Sequence, residues 1–449
     1  MPIREETIMS NQLFQASPFE PIDFYSNHVL VSPEGGVHGA FDEKGFVVMP
    51  FQYTDWQTEE LSWRDSVYLH AGLNPFIWHK IKGSDCTKLL EDISVSTYRK
   101  FPIGKARHVI LCNDDGTILM DGIALRVADD EILGMCLPVL PAILEHIGGN
   151  YDVEVTDITN ERFFFQLCGP RSLEVVEAAC REDLHDIKFM WARDSKIDGR
   201  PVTILRTGMA GTLGYEVHGL IEDAIPVYEA LMAAGEPFGI QKLGRHAYRN
   251  THTEGSVPQG GTHFVFNLGA PYKLEGSLPR DSRLVFRTPI DLGWEKMISF
   301  KHDFPGKDAL AAELEAHHNT MVHLVWDPED ILKVAATWFE PGNSADVMDM
   351  VEDYDYMISN FSLHIDAVYD GDKLVGAASG RMLCPKTREM MSLATIDTDY
   401  AVEGREVEVL WGNPGTRQMR IRAKVTLAPY IKECRNDSFD VEQIPHPVF

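Results

Sequence analysis

The sequence predicts an α+β fold of two or three domains that ends in an antiparallel β-barrel. Three observations carry this. At 449 residues the chain is too long for one ordinary core. Its first half mixes helix and strand signals, with a strong hairpin signal at Asn113-Asp114-Asp115-Gly116. Residues 365–430 read instead as short apolar strands separated by turns, the pattern of a barrel. An apolar content of 44% and a charged content of 24% are ordinary for a globular chain, so a large core can form.

In chain order, residues 1–45 carry little periodicity and are expected to wrap the surface. Trp63-Arg64-Asp65-Ser66 precedes an apolar segment ending at Ile77-Trp78. Lys80 to Lys82 is a strand, and Ser84 or Asp85 caps a helix over Cys86–Ile93 with Leu89, Leu90 and Ile93 on one face. His108 to Cys112 pairs with a return strand from Thr117 to Val127, broken at Asp121-Gly122, where the residues alone suggest a bulge. Glu131–Met135 is a strand, and Pro138–Ile147 a helix with proline in its first turn. An aromatic strand over Arg162–Leu167 leads into a helix opened by Gly169-Pro170-Arg171-Ser172. Ala224–Ala234 is a helix stopped by Gly235, and residues 255–290 form a Gly/Pro-rich loop over the site. The expected division is 1–54 as a wrapping segment, 55–290 as two interleaved α+β domains, 291–335 as a connecting element and 336–449 as the barrel domain.

The formal net charge of −27 disfavours nucleic acid and anionic membranes as partners. It also means that any anionic ligand needs local cations. The seven cysteines form no C-x-x-C pair and most lie in apolar runs, so reduced buried thiols are expected. Met1-Pro-Ile-Arg-Glu-Glu lacks the basic-then-apolar pattern of a signal peptide, and the most apolar window, Met135 to Leu144, is short and holds two prolines. A cytoplasmic protein, monomer or homodimer, is the expectation. No metal is expected: neither His302-Asp303 nor His246 with His252 matches a zinc pattern.

The chain is organised around Arg206-Thr207-Gly208-Met209-Ala210-Gly211-Thr212-Leu213-Gly214-Tyr215-Glu216-Val217. It reads as a strand end, a glycine-punctuated turn and a second strand whose alternation sends Glu216 to the face opposite Tyr215 and Val217. The glycine spacing is not a dinucleotide fingerprint, because a strand follows where a helix is required. The whole string resembles the R-T-G-x-x-G-x-x-G-[FY]-E signature of the glycine-cleavage T-protein (aminomethyltransferase) family. That resemblance implies a three-domain folate-binding fold, tetrahydrofolate as cofactor and Glu216 against the pterin, where a carboxylate accepts two parallel N–H donors.

Further motifs extend the resemblance over roughly residues 55–430. The hairpin resembles the family's N-x-x-G-x-I-x-D-D, which puts Asp121 at its catalytic-site aspartate. Gln166 matches a folate-facing glutamine of the aromatic O-demethylase branch. Arg245-His246-Ala247-Tyr248-Arg249 resembles R-D-x-L-R with tyrosine for leucine, and Tyr248 and Glu254 keep the six-residue spacing of the vanillate- and syringate-type O-demethylases. The resemblance thus implies Tyr248 and Asp121 as catalytic. It places Glu216, Gln166, Arg206, Tyr215, Met135 and Arg245 at the cofactor, and Asn74, His246, His252 and Glu254 at the substrate. Two departures stand out. Asn74 stands where a histidine is usual, and Leu137 stands near the place of a carboxylate-gripping arginine, so a larger or neutral aromatic is expected rather than a simple benzoate.

The implied reaction is O-demethylation of a lignin-derived methoxylated aromatic, giving 5-methyltetrahydrofolate. A phenol with pKa near ~10 suits protonation of a departing aryl oxygen. Three alternatives stay open. One is a folate-independent lyase that expels formaldehyde with Tyr248, His246 or His252 as base. The others are an aminomethyltransferase and a non-catalytic folate-binding protein.

Overall fold

A computed structural model describes residues 28–31, 47–50, 52–74, 76–147, 150–269, 273–350 and 362–449. Most of the expected wrapping segment lies outside the described residues. Its described parts, β1 (His28–Val31) and β2 (Val47–Pro50), pair antiparallel.

The first main sheet has six strands. They are β3 (Val67–His70), β9 (Arg162–Cys168), β10 (Ala192–Ile197), β11 (Arg200–Leu205), β12 (Gly214–Leu220) and β13 (Ile240–Lys242), ordered β10-β11-β12-β9-β3-β13. A five-stranded antiparallel sheet is inserted in the chain between β3 and β9. It comprises β4 (Trp78–Lys82), β5 (Ala106–Cys112), β6 (Ile118–Ala128), β7 (Glu131–Met135) and β8 (Glu154–Asp157), ordered β5-β6-β7-β4-β8. Helix α1 (Trp56–Asp65) is capped by the Asp55 carboxylate, which accepts from the Thr58 N–H. Helix α2 (Cys86–Ile93) buries Cys86, Leu89, Leu90 and Ile93 on its inner face.

The return strand of the hairpin runs unbroken through Asp121-Gly122, against the expected bulge. Gly122 serves close packing: a Cβ there would sit 2.3 Å from the Met135 carbonyl oxygen. The following helix, α3 (Leu140–Ile147), begins two residues after Pro138.

Strict alternation gives the six-stranded sheet two different faces. Val67, Leu69, Phe163, Phe165, Leu167, Val202, Ile204, Tyr215 and Val217 point into one core. There they meet Leu173 and Val176 of α4 (Ser172–Cys180) and Val227 and Leu231 of α5 (Ala224–Gly235). The other face carries the polar set described below. Helix α6 (Arg245–Gly255) packs over it and against α1 and the barrel, with Tyr248, Thr251, His252 and Glu254 all buried. Apart from Ala247 and Tyr248 it has no apolar side chain, so hydrophobic periodicity offers no sign of it.

The C-terminal part is a closed six-stranded antiparallel barrel. Its order is β16 (Ser362–Asp370), β17 (Lys373–Leu383), β18 (Met390–Asp397), β15 (Asn319–Trp326), β20 (Met419–Leu427) and β19 (Glu406–Trp411), with β19 returning to β16 through Val368–Val409. Closure removes the exposed strand edges. β14 (Lys273–Glu275) joins β16 in parallel from the 255–290 stretch, which is otherwise irregular. Helices α7 (Lys307–Glu315) and α8 (Pro328–Thr337) flank β15, and the Asp327 carboxylate caps α8. β15 comes from the stretch expected to connect the domains. No helix among the described residues is long and apolar enough to cross a membrane.

Candidate functional site

Three strands place three polar residues in one row. His70 on β3 pairs with Gln166 on β9, and Gln166 pairs with Glu216 on β12. Because all three sit in register, their side chains share one face. The Gln166 amide donates to Glu216 Oε1 at 3.3 Å, and His218 Nε2 donates to Glu216 Oε2 at 3.2 Å. Gln166 Oε1 and His218 Nδ1 are buried with no hydrogen-bond partner among the described residues, and the buried hydroxyl of Tyr68, two residues before His70, has the Cys168 thiol beside it. An unmade buried hydrogen bond costs about 1–3 kcal/mol, so two on one face mark a surface shaped for a polar ligand. An acceptor carboxylate beside an acceptor amide oxygen fits a ring edge that carries adjacent N–H donors, as a pterin does.

The glycine turn lets this row lie close to its surroundings. A Cβ on Gly214 would meet Cys168 Sγ at 2.7 Å, and Gly211, at φ +74°, lies under Gly255 at the end of α6.

Helix α6 adds the reactive groups. The Tyr248 ring lies flat on His70, with centroids 4.2 Å apart and planes inclined 14°. Its hydroxyl is 3.3 Å from His252 Nε2, one helical turn on. His70 Nδ1 faces the Leu243 carbonyl at 2.8 Å, and His252 Nδ1 faces that of Val257 at 3.1 Å. A carbonyl only accepts, so each Nδ1 carries a hydrogen and each neutral ring has a bare Nε2. Burial pushes both histidines down to about 4, and the nearby Arg249 adds to the effect at His252. The Tyr248 hydroxyl therefore donates to a neutral imidazole. Arg249 and Arg245 are both buried on α6.

Asp121 belongs to the other sheet. Its hydrogen-bond partner is His108 on β5, whose Nε2 lies 2.7 Å from Asp121 Oδ2. The His108 ring is fixed edge-on by Trp294 at 4.7 Å and by Met297 Sδ at 3.4 Å. Tyr248, His252, Gln166 and Glu216 thus converge from one sheet face and one helix, while Asp121 forms a separate dyad.

The structure gives the other expected site residues the following surroundings. Tyr215 is fully buried in the core beneath α4 and α5, on the face opposite Glu216. Arg206 is a tether: its guanidinium donates to the carbonyls of Asn436 and Phe439 and to the Asn436 side chain. Asn74 commits both amide hydrogens to the carbonyls of Ala71 and Phe164 and accepts from the Phe164 N–H, so it locks a loop to β9. Glu254 accepts from Trp63, Arg64 and Cys384, joining α6 to α1 and to the barrel. His246 turns away from Tyr248 toward Gln52 and Trp56. Met135 packs in an apolar cluster with Trp78, Phe164 and Leu205, between the two sheets. Arg245 opens α6, buried.

Sequence reasoning missed Tyr68, His70, His108 and His218. The signal for the first two was the alternation in Val67-Tyr68-Leu69-His70, which puts both polar rings on the face away from Val67 and Leu69. For His108 it was the hairpin register, which sets Asp121 opposite Ile110 and so diagonal to His108.

Fold and site together define a three-module protein with a polar ligand face roofed by a buried polar helix. The comparisons place it. The GCVT N-terminal domain family matches residues 36–264, and the chain belongs to that family. It is 38% identical to the sesamin methylene transferase of Sinomonas sp., across 91% of this chain and 96% of that protein. It is 28% identical to the syringate O-demethylase of Sphingobium sp., across 87% and 92% of the two chains. The crystal structure of the glycine cleavage system aminomethyltransferase T from Bartonella henselae shares its fold, with TM-score 0.65, 18% identity and coverage of 89% of this chain and 95% of that one.

Proposed function

We propose that this protein transfers a one-carbon group from an aromatic ether to tetrahydrofolate. The observation that carries the reading is the meeting, on one sheet face, of the Glu216–Gln166 acceptor pair with a phenol whose hydroxyl is held by a neutral imidazole. Tetrahydrofolate supplies the nucleophilic nitrogen that takes up the carbon. Glu216 and Gln166 hold the pterin edge, and Arg245 and Arg249 offset its negative charge. Tyr248 protonates the departing aryl oxygen, a transfer close to thermoneutral between phenols of similar pKa. His252 Nε2 holds the hydroxyl hydrogen between turnovers, and the flat contact with His70 fixes the phenol ring.

The relatives guide the choice of ether. The 38% match favours a carbon bridging two ring oxygens, a methylenedioxy aromatic. A lignin-derived methoxyaromatic is the second reading, favoured by Tyr248 and by the 28% match. Leu137, two residues past β7, is fully buried in the core, and β7 itself carries no cation, so a neutral ring is the better substrate in either case. On this reading the protein is a cytoplasmic monomer or homodimer that acts on small molecules.

The test is incubation with a methylenedioxybenzene and with a methoxybenzene, each with and without tetrahydrofolate. Folate-dependent release of a catechol with 5,10-methylenetetrahydrofolate supports the first reading, and a phenol with 5-methyltetrahydrofolate supports the second. Formaldehyde released without folate from a hydroxymethyl-bearing aromatic, run beside these two, would overturn both and leave the lyase.

A further inference from the structure

A second polar cluster lies where the C-terminal tail crosses the end of α4. Glu177 projects from α4, Asp183 and His185 from the turn after it, and His446 from the tail. His185 Nδ1 faces Glu177 Oε1 at 2.9 Å and Asp183 Oδ1 at 3.0 Å, and its Nε2 faces the Ile444 carbonyl at 3.1 Å. His446 Nδ1 faces the other Asp183 oxygen at 2.6 Å, and its Nε2 faces Glu442 at 3.2 Å. The two imidazoles stack with centroids 4.0 Å apart and planes inclined 22°.

Every one of these ring nitrogens looks at an oxygen that only accepts. A divalent cation held by the two Nδ1 atoms would be balanced by the carboxylates around it.

We propose that Asp183, His185 and His446, with Glu177, form a zinc-class metal site that fastens the C-terminal tail to α4. The ligand atoms of Asp183, His185 and His446 lie within 4.8 Å of one another. Two imidazoles with carboxylate oxygens suit zinc or a neighbouring transition metal, whereas calcium and magnesium prefer all-oxygen shells. The bond from His185 Nε2 to the Ile444 carbonyl is the outer-shell contact that orients a ligating imidazole. The side chains of His185 and Glu177 are buried, and those of Asp183 and His446 are about half exposed, so the ion is reached from solvent. The ligands come from a helix, its following turn and a segment far along the chain, which is why no sequence spacing reveals them. The same tail gives Arg206 its Asn436 and Phe439 partners, and Asn436 also donates to the Gly214 carbonyl, so the fastening reaches the glycine turn.

The test uses the full chain, stripped with a chelator and titrated with zinc chloride by calorimetry. Expected are one saturable equivalent at micromolar or lower concentration and, with cobalt(II), the intense visible band of a tetrahedral site. His446→Ala and Asp183→Asn, both at exposed positions, should each weaken binding by about a hundredfold, as loss of a ligand does at least as much as loss of an outer-shell contact. Zinc should also slow hydrogen exchange in residues 440–449 of the parent and leave it unchanged in His446→Ala. Absence of saturable binding, binding only at millimolar zinc, or affinity unaltered in both variants would each overturn the site. Unchanged exchange on saturation would overturn the fastening.

Discussion

Tyr248 lies flat against His70, 4.2 Å from ring to ring, and turns its hydroxyl to His252. The phenol is thus held on its face by one neutral histidine and at its tip by another. Tyr248→Phe keeps the stacking and removes only the acid. A positioned acid–base group contributes roughly 10²–10⁴-fold, so kcat should fall by about that factor. Tetrahydrofolate affinity, which the proposed function assigns to Glu216 and Gln166, should stay within about threefold, a free-energy change well under 1 kcal/mol. Single-turnover rates beside a calorimetric titration separate the two, and a Phe variant with parent-like turnover would remove Tyr248 from the chemistry.

Glu216 has two neighbours, Gln166 and His218, yet the buried oxygen of Gln166 is left without one. A ligand edge that fills this gap and also donates to the Glu216 carboxylate makes a charge-assisted bond there worth about 1.5–3 kcal/mol. Glu216→Ala should therefore weaken tetrahydrofolate binding by tenfold or more, at about 1.4 kcal/mol per decade. An unchanged dissociation constant would take Glu216 out of the site.

Alternation along β12 was legible, and it separated Glu216 from Tyr215 correctly. Assigning both to the cofactor ignored that separation, and the core claimed Tyr215. The barrel was legible because its strands are short apolar runs separated by turns, although β17 and β18 are buried almost throughout and do not alternate. Helix α6 was not legible as a helix, since its burial is polar: its side chains are satisfied by α1, the barrel and one another rather than by apolar packing. Glu254 shows the consequence. The six-residue spacing from Tyr248 is real, but on a helix it turns the two side chains to different faces, and the ligands of Glu254 come from Trp63, Arg64 and Cys384, which only the tertiary fold brings near.

That clamp yields a prediction opposite to a substrate contact. Glu254→Ala leaves the Arg64 guanidinium partly buried without its carboxylate. Removing one partner of a buried ion pair typically costs 3–5 kcal/mol, so stability should fall by about that amount. KM measured on the folded fraction should stay near the parent value. A stable Glu254→Ala protein with a raised KM would restore the residue to the substrate.

The central histidines set the response to acid. His70 and His252 are held neutral with pKa values pushed down to about 4, and His323 on the barrel to about 3, in each case chiefly by burial. In the unfolded chain each returns to about 6.5. Between these values the unfolded state binds more protons, so stability rises with pH across this window and is lost as pH falls below about 6.5. At pH 5 each such histidine withdraws about 2 kcal/mol relative to neutral pH. The urea midpoint should therefore drop steeply from pH 7 to pH 5. His323→Asn, on the barrel and bonded to Ser256, should lessen that slope. A midpoint flat across this range would mean that these rings exchange protons freely with water, and the bare Nε2 assigned to His252 would have to be withdrawn.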